Sequence, residues 1–149
     1  MKFFKSLILI FFLSGCGYST IYNDKNYDVK IKVVNSKGNS NMNSKIIKQI
    51  KNFSDKDSNN IINVNIDSNY QNQIISRSST GSIDDYKIIL NVVYTFEVDN
   101  NVEILNIKQD FKLKNTDESF ERQKNESTLI NNFITSSVRE LFLNITAIK

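Results

Sequence analysis

The sequence predicts an α+β fold: a two-layer sandwich of a four-stranded sheet with two helices on one face, in the order β-α-β-β-β-α. Three observations lead there. Tyr86, Ile88, Leu90, Val92, Tyr94, Phe96 and Val98 occupy every second position, the period of a strand with one apolar face. Other segments alternate in the same way, and two further segments carry an apolar stripe at helical spacing.

The elements follow in order. From Asp28 to Asn35, Val29, Ile31 and Val33 share one face and Lys30, Lys32 and Val34 the other, giving a first strand. Gly38 lies in a Ser- and Asn-rich turn, and Ser40 or Asn41 is expected to cap the helix that follows. In that helix Met42, Ile46, Ile47, Ile50 and Phe53 form the stripe, leaving Lys45, Lys48 and Lys51 to solvent. Ile62, Val64 and Ile66 alternate with Asn63, Asn65 and Asp67 as a second strand, which Tyr70 to Ser78 continues after a bend or bulge. Ser78 to Asp84 reads as a loop before the long third strand.

A tight turn is expected at Asp99-Asn100-Asn101-Val102, because Asn tolerates positive φ. Placing the two loop residues at Asn100 and Asn101 sets Phe96 opposite Leu105, Tyr94 opposite Ile107, Leu90 opposite Phe111 and Ile88 opposite Leu113. A slip by one residue would set these side chains against Asn106, Lys108 and Lys112. The last helix is expected from about Glu126 to Ile145, striped by Leu129, Ile130, Phe133, Ile134, Val138, Leu141, Phe142 and Ile145.

The N-terminus has a different logic. Lys2 and Lys5 precede an apolar run from Leu7 to Leu13, too short for a spanning helix, and Leu13-Ser14-Gly15-Cys16 follows. These features make residues 1–15 a secretory signal and 16–28 a tether ahead of a single domain at 29–149. The segment resembles a bacterial lipobox, and that resemblance implies a lipid attached at Cys16, the only cysteine; the competing account is a buried free thiol behind an ordinary signal. With Cys16 lipidated, no intrachain disulfide can form. The net charge of +3 includes Lys2 and Lys5, so the remaining chain is close to neutral and has no general attraction for nucleic acid. Tyr18, Tyr22 and Tyr27 suit either a membrane interface or packing on the domain edge.

Enzymatic chemistry finds little to work with. There is no histidine, no Gly-rich phosphate loop and no carboxylate pair at metal spacing, so neither catalytic residues nor a cofactor nor a metal are expected. Asp84-Asp85 would point to opposite faces of a strand. The hairpin's outer face is more suggestive: Lys87 opposite Lys114, with Lys112 and Lys108 along the same face, forms a candidate anion site to which Arg77 is a weaker addition. Asp110 lies among these lysines, so a solvent-screened, internally neutralised surface is the alternative.

Cys16-Gly17-Tyr18, Ile75-Ser76-Arg77, Asp85-Tyr86-Lys87-Ile88 with Val92-Val93-Tyr94, and Asn125-Glu126 opening a long final helix together resemble the LptE-type LPS-assembly lipoproteins. The resemblance runs through the mature chain in order of elements. It implies a non-catalytic lipoprotein at the outer membrane, anchored by lipid and facing the periplasm, with an LptD-type β-barrel LPS translocon as partner and LPS as a possible ligand; the candidate positions for such an anion are those read from the hairpin face and its neighbour, Lys87, Lys112, Lys114 and Arg77. Gly17 after the cysteine is compatible with outer-membrane sorting. A periplasm-facing scaffold or small-ligand binder unrelated to LPS is the competing function.

Overall fold

A computed structural model describes residues 27–116 and 118–148. The expected element order is observed: β1 (Lys30–Gly38), α1 (Ser40–Phe53), β2 (Ile61–Arg77), β3 (Ile83–Val98), β4 (Asn101–Lys114) and α2 (Ser119–Ala147). The sheet order is β1-β2-β3-β4, with β1 parallel to β2 and the other neighbours antiparallel. Helix α1 is the crossover between the parallel pair, as a parallel connection requires.

One face of the sheet and one stripe of each helix make the core. Every second residue of β3 from Tyr86 to Val98 is buried, against Ile62, Val64 and Ile66 of β2 and Met42, Ile46 and Ile50 of α1. Phe133, Ile134, Val138, Leu141, Phe142 and Ile145 of α2 close it. Tyr94 is fully buried, and its hydroxyl lies 3.1 Å from Ser137 Oγ, which donates to the Ile134 carbonyl at 3.0 Å. Because the serine's one proton is committed there, the phenol is the donor in the first bond.

The turn into α1 differs from expectation by one residue. Asn39 is the cap, its Oδ1 accepting from Met42 N at 2.9 Å. Gly38 precedes it at φ +89°, and a Cβ there would collide with the Ser68 carbonyl. That close approach lets Asn39 N donate to Ser68 O at 2.9 Å, fastening the turn to β2. Strand β2 is continuous for 17 residues, and the irregularity expected near its middle falls at Ile74 to Arg77 instead.

The β3–β4 register also needs correction. The loop residues are Asp99 and Asn100, with φ of 49° and 65°, so Val98 pairs with Asn101, Tyr94 with Leu105 and Ile88 with Phe111. Two residues with positive φ are what a type I′ hairpin demands, and Asp supplies that conformation as Asn does. The displacement is two residues, so every side chain keeps the predicted face; Phe96 meets Glu103 and Leu90 meets Gln109 rather than the apolar partners expected.

Helix α2 begins at Ser119, about two turns before the expected start at Glu126, and its first turns stay largely exposed. Tyr27 closes the opposite end of the domain, stacked on Phe142 with ring centres 4.9 Å apart and tilted against Phe53 at 6.3 Å. For this tyrosine, packing on the domain edge is the answer. Tyr18, Tyr22 and Cys16 lie outside the described residues.

Candidate functional site

The outward face of the sheet carries the predicted cationic positions. The corrected register sets Lys87 opposite Lys112 and Lys114 opposite Asp85, so the expected Lys87–Lys114 pairing is not formed. Lys87 Nζ reaches Asp110 Oδ2 on the neighbouring strand at 2.8 Å, and Lys112 lies 3.9 Å from Asp85 Oδ2. Asp85 also accepts from Ser76 Oγ at 2.9 Å. The hydrogen bond and charge of Lys87, with a smaller contribution from Lys108, hold the Asp110 carboxyl below its ordinary pKa. Two lysines and two carboxylates therefore interleave across β3 and β4, which relieves the like-charge opposition.

Arg77 is apart from this cluster. It ends β2, and its guanidinium donates to the Gly81 carbonyl at 2.9 Å, bracing the β2–β3 loop. The structure thus brings Lys87 and Lys112 together with acids between them, places Lys114 beside Asp85 at the strand end, and assigns Arg77 a local bond.

Beyond the lysines, this face is rich in side-chain amides, with Asp67 as a further charge and Val93 and Ile89 as apolar members. Asn65, Asp67, Asn69, Gln71 and Gln73 on β2 stand beside Thr95, Val93, Asn91, Ile89 and Lys87 on β3. Val102 and Ile104 continue it on β4 as exposed apolar side chains.

Two grooves were not anticipated. One, about 390 Å³, lies where α2 begins, lined by Asn72, Ile74, Ile83, Tyr86, Asn115, Arg122, Gln123 and Glu126. Arg122 donates to Asn115 Oδ1 at 3.0 Å, and burial, reinforced by the neighbouring Glu126 carboxylate, pushes the Tyr86 phenol up to about 12. The second, about 460 Å³, runs along the free side of β1 under α1, where Ile31, Val33, Ile47 and Ile50 meet Lys30, Lys32 and Lys51. Only the early start of α2 brings Arg122 over Tyr86, and no apolar period announces that start in the sequence. Among the described residues no group of three or more His, Cys, Asp or Glu could hold a metal, and no helix is long and apolar enough to cross a membrane.

No family model and no curated protein matches the sequence. Solved structures do. Rare lipoprotein B from Shewanella oneidensis superposes with a TM-score of 0.58 at 9% identity, covering 80% of this chain and 93% of that one. Lipoprotein B from Nitrosomonas europaea gives 0.54 at 13% identity, over 83% and 88% of the two chains. A lipoprotein from Caulobacter crescentus gives 0.53 at 9% identity, over 83% and 92%. At these identities the likeness is one of fold, and it spans nearly the full length of each neighbour: this chain has the α+β fold seen in these bacterial lipoproteins.

Proposed function

We propose that this chain is a non-catalytic outer-membrane lipoprotein, anchored through lipid on Cys16 and facing the periplasm, that assembles with a β-barrel translocon and helps deliver LPS to the outer membrane. The observation that carries the proposal is the shared fold with bacterial lipoproteins, in a chain whose own N-terminus has the lipobox pattern Leu13-Ser14-Gly15-Cys16. The outer sheet face adds support, since neutral amides and internally paired charges suit contact with a polar barrel interior. Affinity capture of the tagged chain from solubilised outer membranes, with mass spectrometry of its partners, tests the proposal. A co-purifying barrel that is lost on depletion of the chain is expected; capture with no barrel would overturn the assembly role. Replacement Cys16→Ser should release the chain from the membrane fraction unless protein contacts alone retain it.

The apolar groove beside β1 favours a second function, small-ligand binding unrelated to LPS. Native mass spectrometry of the gently purified chain distinguishes the two. A retained small molecule, lost when Ile47→Lys fills the groove, would support that function instead.

A further inference from the structure

The two edges of the sheet are built differently. Strand β1 is nine residues long, carries a register irregularity between Val33 and Asn35, and presents Lys30, Lys32 and Lys37, all features that discourage further pairing. Strand β4 is 14 residues long and pairs with β3 without irregularity, and among the described residues no strand covers its other side. Its inward side chains are also incompletely covered: Leu105, Phe111 and Leu113 are only partly buried, whereas the matching face of β3 is fully buried.

We infer that β4 pairs antiparallel with β4 of a second copy, about a two-fold axis through Gln109, joining two sheets into one of eight strands. The register follows from the sequence of the strand. With Gln109 opposite its symmetry mate, Leu105 faces Leu113 and Ile107 faces Phe111 on the helix side, while on the outer side Lys108 faces Asp110, each contact occurring twice. Moving the axis one residue toward the turn sets Lys108 against Lys108; moving it one residue the other way sets Asp110 against Asp110 and Lys108 against Lys112. Half-residue moves exchange the two faces and expose the apolar row. Apolar matching and charge matching therefore select the same axis.

The backbone agrees. A two-residue turn closes on a hydrogen-bonded pair, here Val98 and Asn101, so the even-numbered residues from Val102 onward turn their amides and carbonyls to the free side. Lys108 and Asp110 are then backbone-bonded partners across the axis. Gln109 forms the close, non-bonded pair with its mate. Two of the three lysines that would otherwise guard the edge are accommodated: Asp110, already bound to Lys87 at 2.8 Å, gains Lys108 of the other copy, and Lys112 stands opposite Asn106, while Lys114 falls near the strand end opposite exposed Ile104. This pairing does not depend on lipidation or on a barrel partner.

Sedimentation of the chain from residue 16 onward, carrying Cys16→Ser, tests it directly. A dimer is expected. Lys108→Asp alone and Asp110→Lys alone should each weaken it by roughly tenfold or more, because each variant sets like charges opposite one another at two symmetric places. An equimolar mixture of the two variants should recover a heterodimer, since acid then meets base at both places. In the same Cys16→Ser background, Gln109→Cys should form an intermolecular disulfide across the axis, while Asn106→Cys should not cross-link with itself. A monomer overturns the inference. So does a dimer whose affinity ignores the charge reversals, or a mixture that fails to recover while each variant keeps the circular dichroism spectrum of the parent.

Discussion

The buried bond between Tyr94 and Ser137 offers the sharpest test of how the two layers are held together. Tyr94 stands in the middle of β3 with no exposed surface, and its hydroxyl donates across 3.1 Å to a serine on α2 that is itself fully buried. Truncating Ser137 to Ala removes the acceptor and strands a phenol where water has no access, which costs about 1–3 kcal/mol. Truncating Tyr94 to Phe removes the donor, but Ser137 keeps its bond to the Ile134 carbonyl, so the loss falls to about 0.5–1.5 kcal/mol. The double variant leaves no phenol to satisfy and should be no less stable than Ser137→Ala alone. Equilibrium urea unfolding at neutral pH, with all four chains compared at a common slope, reads the cycle. Strict additivity, or a Tyr94→Phe chain less stable than the Ser137→Ala chain, would refute the assignment of donor and acceptor.

Three further outcomes can be measured on the same material. Gly38→Ala must accept both a positive φ and a collision with the Ser68 carbonyl, so it should lose more than about 2 kcal/mol by urea unfolding, far beyond an exposed Gly→Ala change elsewhere. Asn39→Ala should cost about 1 kcal/mol through the lost cap on α1 while Asn39→Asp stays near the parent, and equal losses in the two would contradict the capping role. The Tyr86 phenol holds its proton more tightly when folded, so its contribution is fully present below pH 10 and fades as pH rises toward 12. The share due to Tyr86 is roughly 2–3 kcal/mol at most, and Tyr86→Phe should remove that share while leaving the decline due to Tyr94 and Tyr70, whose phenols burial also pushes up; thermal melts between pH 9 and 12 would show the difference.

Alternation and helical stripes made the architecture legible, because both report which side chains must leave water. The hairpin shows where that information stops. Alternation fixes the face of each side chain but is indifferent to a displacement of two residues, and Asp99-Asn100 and Asn100-Asn101 are both chemically fit for positive φ. Opposing the largest apolar side chains favoured the wrong member of that pair; the observed turn accepts Phe96 beside Glu103. A similar limit applies to α2, whose first turns from Ser119 have no apolar face to announce them, so the groove over Tyr86 was invisible. The cationic positions and Asp110 among them are legible in the sequence, but which lysine each acid meets is not. Whether a lysine is a free charge or half of an ion pair depends on cross-strand register to within one pair, and that register was the element misplaced.

The consequence for function lies in that last point. An anion approaching Lys87 must compete with a carboxylate already 2.8 Å away, and its gain is limited to the difference between two partly solvated ion pairs. A polar protein surface faces no such competition. The amides of Asn65, Asn69, Gln71, Gln73 and Asn91 offer donors and acceptors together, and the ion pairs beside them enter an interface already neutralised. The outer sheet face is therefore better matched to a broad, polar protein contact than to a phosphorylated ligand. Within the proposed assembly, this assigns the face to the partner protein and leaves direct LPS binding at Lys87 and Lys112 as the less favourable use of the same side chains.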